Sequence, residues 1–164
     1  MISVIDYGIG NIGSVLNMIK KVGGEARLVS TAEEILNSKK LLLPGVGSFD
    51  AGILALKEAK LDGAIIEAVT NKSASILGIC LGMQLLLNSS EEGKLPGLGL
   101  ISGKVKKFDA KRFNIRVPHM GWNTVHMKEA HPIWEGISSG DHFYFVHSYY
   151  AEPKEDTYVS GVTE

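Results

Sequence analysis

Cysteine is nearly absent from this sequence: Cys80 is the only one in 164 residues. A lone cysteine excludes an internal disulfide and suits a reducing cytosol. An excess of either charge is also lacking. Lys and Arg number 17 against 18 Asp and Glu, a net charge of -1, so there is no electrostatic case for nucleic acid or an anionic membrane. No apolar run is long enough to cross a bilayer, and Met1-Ile2-Ser3-Val4-Ile5-Asp6 lacks the basic region and long apolar core of a signal peptide. There is no repeat, no low-complexity segment and no cluster with metal-ligand spacing. What remains is an ordinary globular composition, 45% hydrophobic and 21% charged, with enough chain for one domain and a core.

The first half alternates strands and helices. Ile2 to Ile5 reads as a buried strand, followed by a helix through Val15, Leu16, Met18, Ile19 and Val22 that Gly23-Gly24 ends. Ala26 to Val29 is a second strand, Thr31-Ala32-Glu33-Glu34 a capping box opening a short helix, and Leu41-Leu42-Leu43 a third strand. Phe49 to Leu56 and Leu61 to Val69 read as helices. Ser75 to Ile79 reads as a buried, central parallel strand, and Met83 to Leu87 as the first turns of a helix. The pattern implies an α/β fold: an open, mainly parallel sheet with helices on both faces. After Asn88 glycines and Pro96 punctuate the chain. Val105 to Phe108, Asn114 to Val117, Thr124 to Met127 and Phe143 to His147 look like short strands with no helix between them, an antiparallel section appended to the sheet.

Gly78-Ile79-Cys80-Leu81-Gly82 stands at the strand-to-helix turn after Ser75 to Ile79. Gly-x-Cys-x-Gly there has the form of a nucleophile elbow with sulfur in place of the serine oxygen. A Cβ at either flank would crowd the tight turn. The helix N-terminus favours thiolate over thiol. A single cysteine is more often a small core hydrophobe; the flanking glycines, the strand and the helix favour the nucleophile. Pro44-Gly45-Val46-Gly47 ends the third strand and should share one sheet edge with the elbow, its backbone N–H groups free to turn toward a developing oxyanion.

Other motifs weigh less. Gly8-x-Gly10-x-x-Gly13 matches a dinucleotide fingerprint in spacing, but the second strand ends Leu28-Val29-Ser30-Thr31 without the acidic residue that would hold a ribose. A tight turn with close backbone approach is the better reading. A thiol nucleophile wants a histidine base. Five are present, His119, His126, His131, His142 and His147, and none declares itself catalytic.

Gly78-Ile79-Cys80-Leu81-Gly82-Met83-Gln84 resembles the signature of class I, triad-type glutamine amidotransferases, and Pro44-Gly45-Val46-Gly47 their oxyanion loop. Asp6-Tyr7-Gly8-x-Gly10-Asn11, Pro118-His119-Met120-Gly121-Trp122-Asn123 and Phe145-Val146-His147-Ser148-Tyr149-Tyr150 narrow the resemblance to the glutaminase subunits of imidazole glycerol phosphate synthases. The resemblance implies that Cys80 attacks the side-chain amide of glutamine, releasing ammonia and then glutamate. It implies an oxyanion hole around Val46, Gly47 and Leu81, substrate contacts from Gln84, Ser148 and Tyr149, and no cofactor or metal. It also implies a cytoplasmic heterodimer with a (β/α)8-barrel synthase subunit, which takes the ammonia through a channel and makes imidazole glycerol phosphate and an aminoimidazole carboxamide ribotide. His119, Met120, Gly121, Trp122 and Asn123 would face that partner. Trp122 and Met120 are large apolar groups in a turn-rich segment, which agrees.

One departure stands out. The family's catalytic histidine and glutamate come from a His-Pro-Glu motif absent here; His131-Pro132-Ile133 lies too early and lacks the glutamate. The sequence stops at Ser160-Gly161-Val162-Thr163-Glu164, where a strand is expected. The expectation is a single amidotransferase domain over residues 1–164, incomplete at its C-terminus and inactive alone. Alternatives are an amidotransferase subunit for amidination of a surface sugar, a non-catalytic binding subunit, and a cysteine hydrolase or stress protein of related fold. Gln84 and Met120-Gly121-Trp122-Asn123 argue against the last.

Overall fold

The computed structural model describes residues 1–113 and 115–163. Its first half is a parallel sheet of β1 (Ile2–Ile5), β2 (Ala26–Val29), β3 (Lys40–Leu43) and β4 (Ser75–Gly78), in the order β2-β1-β3-β4. The connections run through α1 (Ile12–Lys21), α2 (Ala32–Leu36), α3 (Phe49–Glu58) and α4 (Asp62–Thr70), and α5 (Leu81–Leu85) follows β4. Strand alternation sorts the core in two. Val4 and Leu42 pack with Ile19, Val15 and Leu16 of α1 on one face. Ile5, Leu41 and Leu43 pack on the other with Ile35, Phe49, Ile53, Leu56, Ile65, Leu81 and Leu85 from α2 to α5. Helices therefore cover both faces, as the alternation of segments predicts.

Local signals set the helix ends. Asn11 caps α1 by accepting from the Ser14 N–H, and the N–H of Gly24 returns to the Ile19 carbonyl past the glycine stop. The Thr31/Glu34 capping box is formed in full. At α3 the cap comes from far along the chain. Ser48 makes no side-chain cap, and the Phe49 N–H donates instead to Glu92 at 2.8 Å. Asp50 returns the brace, accepting from the N–H groups of Lys94 and Leu95 at 3.0 Å.

The second half departs from expectation at several points. Among the described residues the segment from Ser75 is the outer strand of this sheet and not a central, buried one. Ile76 packs on the main core, but α1 does not reach the other face, and Leu77 and Ile79 are 46% and 42% exposed. Helix α5 stops at Leu85, and Leu87 opens β5 (Leu87–Ser90), parallel to β6 (Ile101–Lys107). An all-buried leucine run has no period to separate helix from strand, and pairing with Ile101 decides it. Strand β6 starts earlier than expected and ends before Phe108. A short α6 (Ala110–Phe113) follows, so the section is not helix-free. Asn114 lies outside the described residues, and Ile115–Val117 form no strand; pairing begins only after Pro118, which has no N–H to give.

The turn-rich segment after it is itself a strand, β7 (His119–Thr124), and the expected strand over Thr124 to Met127 divides between β7 and β8 (His126–Met127). Strand β9 (His142–His147) pairs antiparallel with β7, β10 (Tyr149–Pro153) with β6, and β11 (Gly161–Val162) with β8. The antiparallel section is present, with more strands than the periodicity shows. Among the described residues no helix is long and apolar enough to cross a membrane.

The Asp50 brace carries a prediction. Its N–H bonds from Leu95 and Lys94 hold the Asp50 carboxyl below the usual carboxylate range, so its contribution is present above the unfolded-state value and is lost as pH falls through the depressed one. Asp50→Ala should lower the thermal midpoint at neutral pH, and the gap to the wild type should close on acidification. A gap independent of pH in scanning calorimetry would show that the carboxylate charge is immaterial.

Candidate active site

The site begins where β3 and β4 end. Parallel register pairs Leu43 with Gly78, and the Ile79 N–H extends the ladder by one bond to the Leu43 carbonyl at 3.0 Å. Both following loops therefore leave on one edge. Cys80 is the N-cap residue of α5 with φ 53° and ψ -116°, a left-handed-side conformation that strains a residue with a Cβ by about 1–3 kcal/mol. Its side chain is exposed. The glycines are required by contact. A Cβ on Gly78 would collide with the Met83 backbone, and one on Gly82 with the Leu43 carbonyl oxygen. The Gly82 N–H closes the turn on the Ile79 carbonyl at 2.9 Å, and the Gln84 N–H closes on the Cys80 carbonyl at 3.2 Å.

The Pro44–Gly47 loop lies against this elbow. A Cβ on Gly45 would stand 2.7 Å from the Gly82 nitrogen, 2.9 Å from the Leu81 Cβ and 2.8 Å from the Tyr7 hydroxyl. Among the described residues the backbone N–H groups of Val46, Gly47 and Leu81 have no acceptor. Three unengaged donors beside a cysteine elbow can stabilise an anion forming on a carbonyl attacked by sulfur. Tyr7, quoted above only as part of a motif, is buried and donates its O–H to the Pro44 carbonyl at 2.8 Å. Burial pushes its phenol up to about 12, so it stays a neutral donor. The first glycine motif serves the same edge: Gly10 packs against the Pro44 ring, the close approach expected of a tight turn.

Gln84 lies one helical turn beyond Cys80, half-buried, with no side-chain hydrogen bond among the described residues. Ser148 and Tyr149 sit elsewhere, at the junction of β9 and β10. The Ser148 carbonyl accepts from the Phe108 N–H, and the Tyr149 side chain packs against the main core. Among the described residues no hydrogen bond links them to the elbow.

Pleating divides the 119–123 segment between two faces. Met120 and Trp122 share the outer face with Val146 and Tyr144, and all four are at least 55% exposed. Trp122 and Tyr144 meet edge to face at 5.7 Å. His119 and Asn123 lie on the inner face beside His147. There the Asn123 oxygen accepts from the Thr124 N–H, its NH2 reaches His119 Nε2 at 3.3 Å, His119 Nδ1 meets His147 Nε2 at 2.9 Å, and His147 Nδ1 meets the Tyr149 carbonyl at 2.8 Å. The carbonyl can only accept, so one proton arrangement satisfies the chain, with both imidazoles neutral. His131 caps its own 3-10 turn, accepting from the Ile133 N–H. The sequence carries no spacing signal for the His119–His147 contact, which joins residues 28 apart.

The fold is thus an open-sheet α/β protein that presents a strained, exposed cysteine between strand and helix, with backbone donors on the neighbouring loop that have no acceptor among the described residues. The comparison with protein families agrees: the model of the class-I glutamine amidotransferases matches residues 3–164, and this chain belongs to that family. It is 50% identical over 155 residues, 94% of this chain and 76% of the relative, to a Pseudomonas aeruginosa protein named imidazole glycerol phosphate synthase subunit HisH 2. A Methanococcus maripaludis protein of the same name is 45% identical over 164 residues, 100% of this chain and 81% of that one. A crystal structure of a glutamine amidotransferase matches 88% of this chain and 70% of its own with a TM-score of 0.67; at 20% identity that likeness speaks for the fold.

The histidine chain has a pH consequence. Burial first, then the neighbouring His147, depresses His119 below the usual histidine range. A depressed group lends stability above its unfolded-state value and withdraws it as pH falls through the folded one. The imidazole resonance of His119 should therefore titrate below the usual range, with loss of amide protection in β7 and β9 as it does so. A His119 resonance at the ordinary value, with protection in β7 and β9 unchanged across its titration, would refute the chain.

Proposed function

We propose that this chain is the glutaminase subunit of an imidazole glycerol phosphate synthase, hydrolysing glutamine to glutamate and ammonia and passing the ammonia to a synthase subunit in histidine biosynthesis. The observation that supports this most is the pairing of Cys80 at a formed elbow with 45–50% identity along nearly the whole chain to proteins named as that subunit. The sulfur attacks the side-chain amide carbon, the carbonyl electron pair moves onto oxygen, and the N–H groups of Val46, Gly47 and Leu81 receive the charge. Collapse of this intermediate, with the thiol proton passing to nitrogen, expels ammonia and leaves a glutamyl thioester, which water cleaves to glutamate and the free thiol. Gln84 and the Ser148-Tyr149 segment position the substrate. This reading assigns the base to neither His131, engaged in its own turn, nor His119 and His147, engaged with each other. The partner is a (β/α)8-barrel synthase subunit in a cytoplasmic heterodimer, and the outer face of the β7–β9 hairpin docks on it.

In the complex, Cys80→Ala should abolish glutamate formation while leaving the synthase reaction with added ammonium salt intact. Retained glutaminase turnover would remove Cys80 from the chemistry. Gln84→Ala should raise the KM for glutamine about tenfold, the loss of one good hydrogen bond, and an unchanged KM would remove Gln84 from the site.

Trp122→Ala should weaken subunit association on the order of tenfold or more, as the loss of an exposed aromatic anchor does at interface centres. Titration calorimetry with the synthase subunit checks it; unaltered affinity would place the interface elsewhere.

A further inference from the structure

We propose that Tyr7 is a positioning residue for the glutaminase reaction: its phenol fixes the stem of the Pro44–Gly47 loop and so sets where the Val46 and Gly47 N–H groups stand relative to that of Leu81. The inference rests on the reading that Cys80 attacks glutamine, and goes beyond it by naming what holds the anion-binding donors in place.

The geometry is local and closed. Tyr7 follows β1, the strand beside β3, and its hydroxyl reaches across to the Pro44 carbonyl at 2.8 Å from a side chain only 5% exposed. A peptide unit is planar and trans, so fixing the Pro44 carbonyl toward Tyr7 directs the Gly45 N–H to the opposite side. Gly45 is then wedged, its Cα hydrogens facing the Tyr7 hydroxyl, the Gly82 nitrogen and the Leu81 Cβ. The loop thus has a fixed end at Pro44-Gly45 and a free end at Val46-Gly47, where Val46 is 56% exposed and Gly47 has φ 99°. With the phenolic bond gone, the Pro44 carbonyl is a buried acceptor without its donor, and the plane that aims the loop can turn.

Donors aimed at an oxyanion act in the tetrahedral state and do little for ground-state binding. Loss of aim therefore has a distinct signature. The test uses Tyr7→Phe, which keeps the ring and its packing, in the complete protein complexed with its synthase subunit. Kcat for glutamine should fall by about ten- to a hundredfold, the scale of a small misplacement, with KM within about twofold. Affinity for glutamate γ-semialdehyde should fall by a similar factor. That aldehyde adds the Cys80 thiol across its carbonyl, forming a C–S bond and an alkoxide and releasing the thiol proton. Alkylation by iodoacetamide, a displacement at saturated carbon that forms no oxyanion, should keep its rate.

A Tyr7→Phe enzyme with a lower thermal midpoint but wild-type kcat and semialdehyde affinity would overturn the proposal, because a merely structural tyrosine behaves so. An equal fall in iodoacetamide reactivity would overturn it too, by showing that the elbow itself had moved. If the wild-type complex neither hydrolyses glutamine nor binds the semialdehyde, the glutaminase reading fails and takes this inference with it.

Discussion

The close approach of two backbones governs this structure: Gly82 of the elbow lies directly on the Leu43 carbonyl, and Gly45 on the Gly82 nitrogen. No side chain larger than hydrogen fits at either place. Parallel pairing of β3 with β4 brings the two loops to one edge, but only glycine lets them touch. Contact at that distance brings two ordinary strand ends together, with the sulfur and the Leu81 N–H on one loop and the N–H groups of Val46 and Gly47 on the other. The strain at Cys80 is borne by its successors. Leu81 and Leu85 are essentially fully buried, and each contributes about 1.5–3 kcal/mol on burial, enough to hold the turn in a conformation it would otherwise leave.

That arrangement also explains why the site was readable in the sequence. The Gly-x-Cys-x-Gly spacing, the apolar strand before it and the glycines after Leu43 are each consequences of the contact. Wherever sterics dictate residue type, sequence and geometry carry the same information. The capping box at Thr31 and the glycine stop of α1 were legible for the same reason, since one backbone need admits few side chains. The antiparallel half was less legible because its strands are selected by partners distant in sequence. Tyr149 to Pro153 becomes a strand by pairing with Gly103 to Lys107, and His119 to Thr124 by pairing with His142 to His147. In β7 the glycine and polar residues suggested a turn, and the cross-strand partner overrode that preference.

Tyr7 illustrates a third case. Its identity was noted, but its role follows only from the strand order β2-β1-β3-β4, which seats the end of β1 beside the end of β3. A phenol two residues past a strand could point to solvent. Once the neighbour is known, burial, donor and acceptor are fixed together. The exposed face of β4 has a similar origin: an apolar run reads as buried on both faces, and only the reach of α1 decides that Leu77 is not.

The β7–β9 hairpin joins two demands that conflict in a single strand. Its outer face displays Met120, Trp122, Tyr144 and Val146, while its inner face carries Asn123, His119 and His147 in a chain tied at both ends to backbone groups. A slip of one residue in a strand's register would exchange its faces. An apolar patch alone would not resist such a slip, because either face could then be buried against whatever lies near. The polar chain does resist it. Its proton order runs one way, from the Thr124 N–H to the Tyr149 carbonyl, and its one link between the two strands, His119 to His147, needs those residues directly opposite each other. Register is thus set by the side that faces inward, and this fixes which aromatic groups the hairpin presents outward.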